Sequence, residues 1–206
     1  MMTRNDFEIS LKKYAQTIEE IRRSAWELHR SVEQTYGGSL PYGHHLDMVV
    51  EEIQRFGHEV AATEDDVLPL IFGGYYHDSI EDARVTYRDV MKVAKRWLTD
   101  EQALTATEIV YALTNDKGRT RAERAGEHYY EGIRQTPYAP FVKICDRLAN
   151  VRYSFQSDDA GNQRMKGVYA NELEHFLKGI TSQSDDSRLQ IPPAAFEALK
   201  AYFFKN

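Results

Sequence analysis

The chain has 206 residues, 42% apolar and 28% charged, a balance that permits a substantial buried core and excludes a disordered chain. A formal net charge of −6 argues against a broad nucleic-acid-binding surface, while a phosphorylated small molecule stays compatible where a metal and a few local cations offset the charge. Cys145, the only cysteine, leaves no intramolecular disulfide and no cysteine-built zinc site; the polar start MMTRNDFEIS and short apolar runs such as VLPLIF offer neither a signal core nor a membrane span, so the expected location is cytoplasmic, with no membrane partner.

The predicted elements are helices almost throughout. Apolar residues at Phe7, Leu11, Tyr14, Ile18, Ile21, Ala25 and Leu28 recur every three or four positions and predict a helix over 7–32. TYGGSLPYG breaks that period and reads as a loop. Leu46, Val49, Val50 and Ile53 predict a second helix over 44–56. Thr63, followed by Glu64, Asp65 and Asp66, reads as an N-cap opening a third helix towards Asp78, with Pro69 and Gly73-Gly74 weakening its pattern. Thr86 caps a helix that includes Val90, Val93, Ala94, Trp97 and Leu98, and Thr99-Asp100 caps the next, as far as Leu113. After a polar break at 115–118, residues 120–134 are helical and strongly charged. Pro137 and Pro140 bracket the start of a helix over 141–155; further helices are expected around 168–180 and after Pro192-Pro193. The expected fold class is all-α, a single helical bundle over 1–206, in which a motif core at about 28–155 is completed by the C-terminal helices of 156–206.

The chemistry gathers at four places. His77-Asp78 stands within HDSIED; adjacent helix residues do not share a face, but a metal at a helix end or kink can collect both, and the upstream Gly pair would ease such an irregularity. His45 opens one apolar helix. Asp146 lies inside VKICDRLANV, where a carboxylate needs a partner: either a cation or a salt bridge with Arg147 or Arg152. Two imidazoles and two carboxylates form a mixed nitrogen and oxygen set that suits Mn, Fe, Co or Zn. Glu81 and Asp82, on the turn after Asp78, are placed to take a proton from water. Lys117, Arg121 and Arg124, beside a Gly break, are candidates to neutralise phosphates, the alternative being a solvated face paired with Glu123 or Glu127. Among 13 tyrosines, most sit at core spacing; Tyr42 and Tyr153 are the two placed to touch a nucleoside. His58, His128 and His175 have no companion motif and read as surface residues.

From Leu28-His29-Arg30 to Asn150-Val151-Arg152 the chain resembles the HD-domain hydrolases of the RelA/SpoT alarmone system, in particular the stand-alone small alarmone hydrolases of the Mesh type. PYGHHLDMV is similar to that family's PYxxHPxxV, HDSIEDARVTYRDV to HDxxEDTxxTxxDV, LTNDKGRTRAERAGE to its TDDK…ER region, and VKICDRLANVR to KLADRLxNxR. The resemblance implies a manganese enzyme, other divalent metals being compatible, that removes the 3′-pyrophosphate from guanosine tetra- or pentaphosphate (ppGpp or pppGpp), giving GDP or GTP. It implies His45, His77, Asp78 and Asp146 as ligands, Glu81 and Asp82 as the water-activating pair, Asn150 as a substrate contact, Arg121 in a basic position, and a supporting or purely structural role for His29-Arg30. It places His45 rather than His44 at the metal. With no synthetase-like segment after residue 206, the expectation is a stand-alone hydrolase with a small-molecule nucleotide as its partner, and a homo-oligomer is compatible with it.

Two departures bear on the substrate. Gln34 and Thr35 stand where the family carries adjacent basic residues against the purine, and Leu46 replaces its Pro. Two alternatives therefore stand beside the leading reading: a phosphatase for another nucleotide, such as an adenine alarmone or an NADPH-like 2′-phosphate, and a non-catalytic, antitoxin-like partner of an alarmone synthetase. Retention of both Glu81 and Asp82 weighs against the last.

Overall fold

A computed structural model describes residues 1–115 and 118–204, and of Ala122 the backbone alone. The helices are, in chain order, α1 (Arg4–Lys13), α2 (Ala15–Ser31), α3 (Gly43–Phe56), α4 (Val67–Tyr76), α5 (Ser79–Asp82), α6 (Tyr87–Ala94), α7 (Asp100–Leu113), α8 (Arg121–Arg124), α9 (Glu127–Gln135), α10 (Ala139–Ser154), α11 (Ala160–Ile180) and α12 (Pro193–Lys200). The predicted caps account for several starts. Thr86 and Thr99 each accept from the backbone three residues on, while the Asp89 and Gln102 side chains bond back to the cap N–H. Thr63 and Asp66 form the same box around a single 3-10 turn that leads into α4. The fold is all-α, as the periodicity predicts.

The departures are local. The helix expected over 7–32 is interrupted at Tyr14 (φ −94°, ψ 11°), whose hydroxyl donates to Glu64 Oε1 at 2.6 Å, and α1 also contacts α4. The charged stretch of 120–134 divides at Ala125-Gly126, which frees α9 to bury Tyr129, Tyr130 and Ile133. Trp97 and Leu98 lie past the end of α6. Helix α11 begins at Ala160, well before its apolar period emerges, because Asp159 caps it by accepting from Asn162 N at 2.9 Å. The loop after α2 holds a small antiparallel hairpin, β1 (Thr35–Tyr36) and β2 (Leu40–Pro41), closed by Gly37 and Gly38 at φ 58° and 88°.

Three helices form the centre. Every residue of α4 is buried, and α10 is buried nearly all round; α4 packs on α3 and α7, and α10 packs on α3, α11 and α12. The Gly pair expected to ease a kink is instead inside regular helix: a Cβ at Gly73 would stand 2.8 Å from Ile109 Cγ2, and one at Gly74 2.5 Å from Ile53 Cδ1. These glycines bring α4 close to α7 and α3. One buried hydrophobic cluster runs from Phe7 in α1 to Leu199 in α12. No helix of the described residues is long and apolar enough to cross a membrane.

Candidate metal centre and its cavity

Each central helix delivers one group to the same point. His45 enters from the first turn of α3, His77 from the end of α4, and Asp146 from the middle of α10; one donor atom from each lies within 4.8 Å of the other two. His45 Nε2 is 3.4 Å from His77 Nε2 and 3.3 Å from Asp146 Oδ1. Asp78 joins them because α4 ends at Tyr76 and the chain turns before α5, so two adjacent residues address one spot: Asp78 Oδ2 is 2.9 Å from His77 Nε2 and 3.8 Å from His45 Nε2.

The donor set tests whether a cation fits. Ligand atoms about 2.1 Å from one ion stand roughly 3 Å apart at right angles and about 4.2 Å apart in trans, which brackets these separations. His77 Nδ1 is 2.8 Å from Gly74 O, which fixes the N–H on that side and turns the Nε2 lone pair towards Asp78 and Asp146. Four acceptors converging in a buried space repel one another unless positive charge sits among them. His77 carries the same demand: burial opposes its charged form, yet Asp78 and Asp146 raise it to about 9. Asp78 is held below the carboxylate range, where the attraction of His77 overcomes burial. A divalent cation answers the requirement better than a proton, since it satisfies all four atoms at once.

The neighbours aim the ligands. Lys143 Nζ donates to Asp146 Oδ2 at 3.0 Å, and Asn150 Nδ2 donates to Asp146 Oδ1 at 2.6 Å. Asn150 Oδ1 in turn accepts from Tyr36 OH at 3.0 Å, and the Tyr36 ring stacks on His45, centroids 4.9 Å apart. Tyr42 donates its hydroxyl to Asp78 Oδ2 and stacks on buried His29, 4.7 Å away. Neither alternative salt-bridge partner reaches Asp146: Arg147 pairs with Glu172 at 3.0 Å, and Arg152 with Glu51 and Glu52 at 2.6 and 3.0 Å. Lys143, one helical turn before Asp146, takes that place and went unread in the sequence although its spacing marks a shared face.

A cavity of about 330 Å³ opens over this cluster, within the size range of small-molecule sites. Asp82, half-buried in its wall, is raised to about 6 by burial and by Asp78 and Glu81, against hydrogen bonds from Gln34 and Tyr42. Glu81 is exposed, and Asn115 Nδ2 holds its carboxylate at 2.8 and 3.0 Å. Tyr42, Asn150, Arg121 and Arg124 also line the cavity. Arg121 pairs with Glu172 rather than with either glutamate of its own helical stretch.

One expected cavity residue lies elsewhere and one falls outside the described residues. Tyr153 is absent from the cavity wall among the described residues; its ring packs at 4.6 Å on Tyr36, and the hairpin closes over its hydroxyl near Gly37. His175 is exposed, in keeping with its reading as a surface residue, and is among the residues that line the cavity. Lys117 lies outside the described residues. Gln34 is not among the cavity-lining residues; its Oε1 is 3.1 Å from His29 Nδ1, and its side chain also hydrogen-bonds Asp82. Glu172 comes to the site from a sequence distance that no local pattern could flag, while Arg147 stands beside Asp146 and turns to Glu172 instead.

No family model matches the chain. A guanosine-3′,5′-bis(diphosphate) 3′-pyrophosphohydrolase, MESH1 of Danio rerio, is 24% identical over 171 residues, an alignment spanning 81% of this chain and 87% of the relative. The chain is a distant relative of that protein.

Proposed function

We propose that this chain is a metal-dependent phosphohydrolase, built as one HD-type domain, that removes the 3′-pyrophosphate of guanosine tetra- or pentaphosphate. The observation that carries the reading is the convergence of His45, His77, Asp78 and Asp146 on one buried point beneath a cavity that also holds Asp82. The distant likeness to MESH1 supplies the substrate class.

A divalent cation, manganese foremost, would polarise a phosphoryl oxygen and acidify the attacking water. The remaining chemistry belongs to side chains. Asp82 takes the proton: burial and the neighbouring carboxylates Asp78 and Glu81 raise its basicity, and a bound cation lowers it again. Glu81, anchored by Asn115, orients the water beside it. Asn150 and Lys143 hold the two oxygens of Asp146 and so keep the ligand aimed. Arg124 and Arg121 face the cavity to neutralise phosphate charge, Lys117 is assigned the same task from the sequence, and Tyr42 offers a ring to the nucleoside.

A second reading, hydrolysis of another phosphorylated nucleotide, is favoured by one observation. Gln34 is uncharged where the resembled family carries a cation against the purine, and its Oε1 is turned to His29 Nδ1 at 3.1 Å. The test is incubation of the manganese-loaded protein with a panel of phosphorylated nucleotides and analysis of the products. Pyrophosphate released from guanosine tetraphosphate is the expected result. Release of inorganic phosphate from a different nucleotide alone would transfer the assignment to the second reading, and no turnover of any member would overturn both.

A further inference from the structure

The cavity wall also holds a three-residue arrangement of which the mechanism above uses only Arg121. Glu172, from α11, is gripped by two arginines from two other helices. Arg121 Nε and Nη2 donate to its Oε1 and Oε2 at 2.6 and 3.1 Å, and Arg147 Nη1 donates to Oε2 at 3.0 Å. Arg147 is itself buried, its guanidinium lying over Phe176 at 4.2 Å and Tyr169 at 5.0 Å. The carboxylate is partly exposed, its side chain retaining 29% of its accessible surface, and all three groups line the same cavity as the metal cluster.

Two guanidinium groups sharing one carboxylate leave a net charge of +1 on the cavity wall. Planar forks that fit two carboxylate oxygens also fit two oxygens of a phosphoryl group. A singly charged group gains little over Glu172. A phosphoryl group of charge −2 neutralises the pair fully and can take the place if Glu172 swings towards solvent. Arg147 is fixed by its aromatic packing, so the seat persists when its occupant leaves.

We propose that Glu172 is a displaceable occupant of an anion seat formed by Arg121 and Arg147, and that this seat receives the phosphate group of the substrate remote from the scissile bond. The second half rests on the phosphohydrolase reading; the seat itself does not. Glu172 then acts as a specificity residue, because only a substrate with a multiply charged remote end repays its displacement.

The test is isothermal titration of the full chain with inorganic pyrophosphate in EDTA, which removes any contribution of a bound metal. Glu172→Gln should bind pyrophosphate at least about tenfold more tightly than the wild type, since the competing charge is gone. Adding Arg121→Gln, at a half-exposed position, should reverse the gain. An unchanged or weaker affinity in Glu172→Gln, with its melting transition intact, would overturn the seat, as would a gain that survives loss of Arg121. Should Glu172→Gln fail to fold, Arg121→Gln in the otherwise native chain decides alone: weaker pyrophosphate binding is expected, and equal binding contradicts the proposal. If guanosine tetraphosphate is not hydrolysed while these affinities move as stated, the functional reading fails and the seat stands. If hydrolysis occurs while the affinities do not move, the reverse holds.

Discussion

The two ends of the cavity are built on different principles. At one end, His45, His77 and Asp146 are buried and come from three helices that form the centre of the core. At the other, Arg121 is half exposed on a four-residue helix and is placed by an ion pair with a residue 51 positions away. Rigid packing fixes the first, so a cation meets preorganised ligands there. At the second, only Arg147 is held by packing, and Arg121 is held by its ion pair with Glu172, so charged groups can compete for it. On the proposed function, the chemistry falls to the core helices, and part of the phosphate recognition falls to the half-exposed Arg121.

The largest expected effect comes from the rigid end. His77→Ala or Asp78→Ala should reduce turnover to background together with loss of bound metal, read by metal analysis of the purified protein beside its activity. Turnover that survives in either variant would mean the cluster is not the catalytic centre. Asp82→Asn comes next, expected to keep its metal while kcat falls by roughly 10²–10⁴; a rate near that of the wild type would remove Asp82 as the base. Its titration gives a signed pH effect. Only ionised Asp82 accepts a proton, so kcat should fall as pH drops through the carboxyl's value, about 6 without a cation and lower with one beside it. The same raised value means that keeping Asp82 ionised opposes folding, a cost that appears as pH rises from about 3.9, the ordinary aspartate value, through about 6. Asp82→Asn should therefore melt no lower than the wild type at pH 7 in EDTA, and a markedly lower melting temperature would contradict this account of its surroundings.

How much could be read from the sequence follows the same division. His45, His77-Asp78 and Asp146 stand in short local patterns on strongly periodic helices, so both their helices and their company were legible. What periodicity does not encode is how the chain turns between helices. That His77 and Asp78 meet at one point depends on the bend between α4 and α5, and the Gly pair upstream looked like its cause while serving helix packing instead. Lys143 was legible in principle, three residues before Asp146 on the same helix. Glu172 was not: its contacts with Arg121 and Arg147 cross from α11 to two helices, and nothing in its neighbourhood distinguishes it from a solvated glutamate. The hairpin was hidden because its strands are two residues long.

A smaller effect sharpens the comparison. Asn150→Ala leaves every ligand in place but releases one oxygen of Asp146 and the hydroxyl of Tyr36, and should weaken metal affinity by roughly 10–100-fold without abolishing binding. Unchanged affinity by equilibrium dialysis would mean packing alone aims the ligand. The smallest expected effect concerns stability. Gly73→Val pushes a branched side chain against Ile109 and should cost about 1–3 kcal/mol in denaturant unfolding, while the same change at half-buried Gly132, where a Cβ meets nothing within 4 Å, should cost less.

The central claim is that four side chains from three core helices and the turn after α4 hold one divalent cation. Titration of the metal-stripped protein with Mn(II), followed by electron paramagnetic resonance of the free ion, measures it directly. One ion bound per chain, with binding lost in Asp146→Asn, is the result this structure predicts. Absence of saturable binding, or undiminished binding in Asp146→Asn, would contradict it.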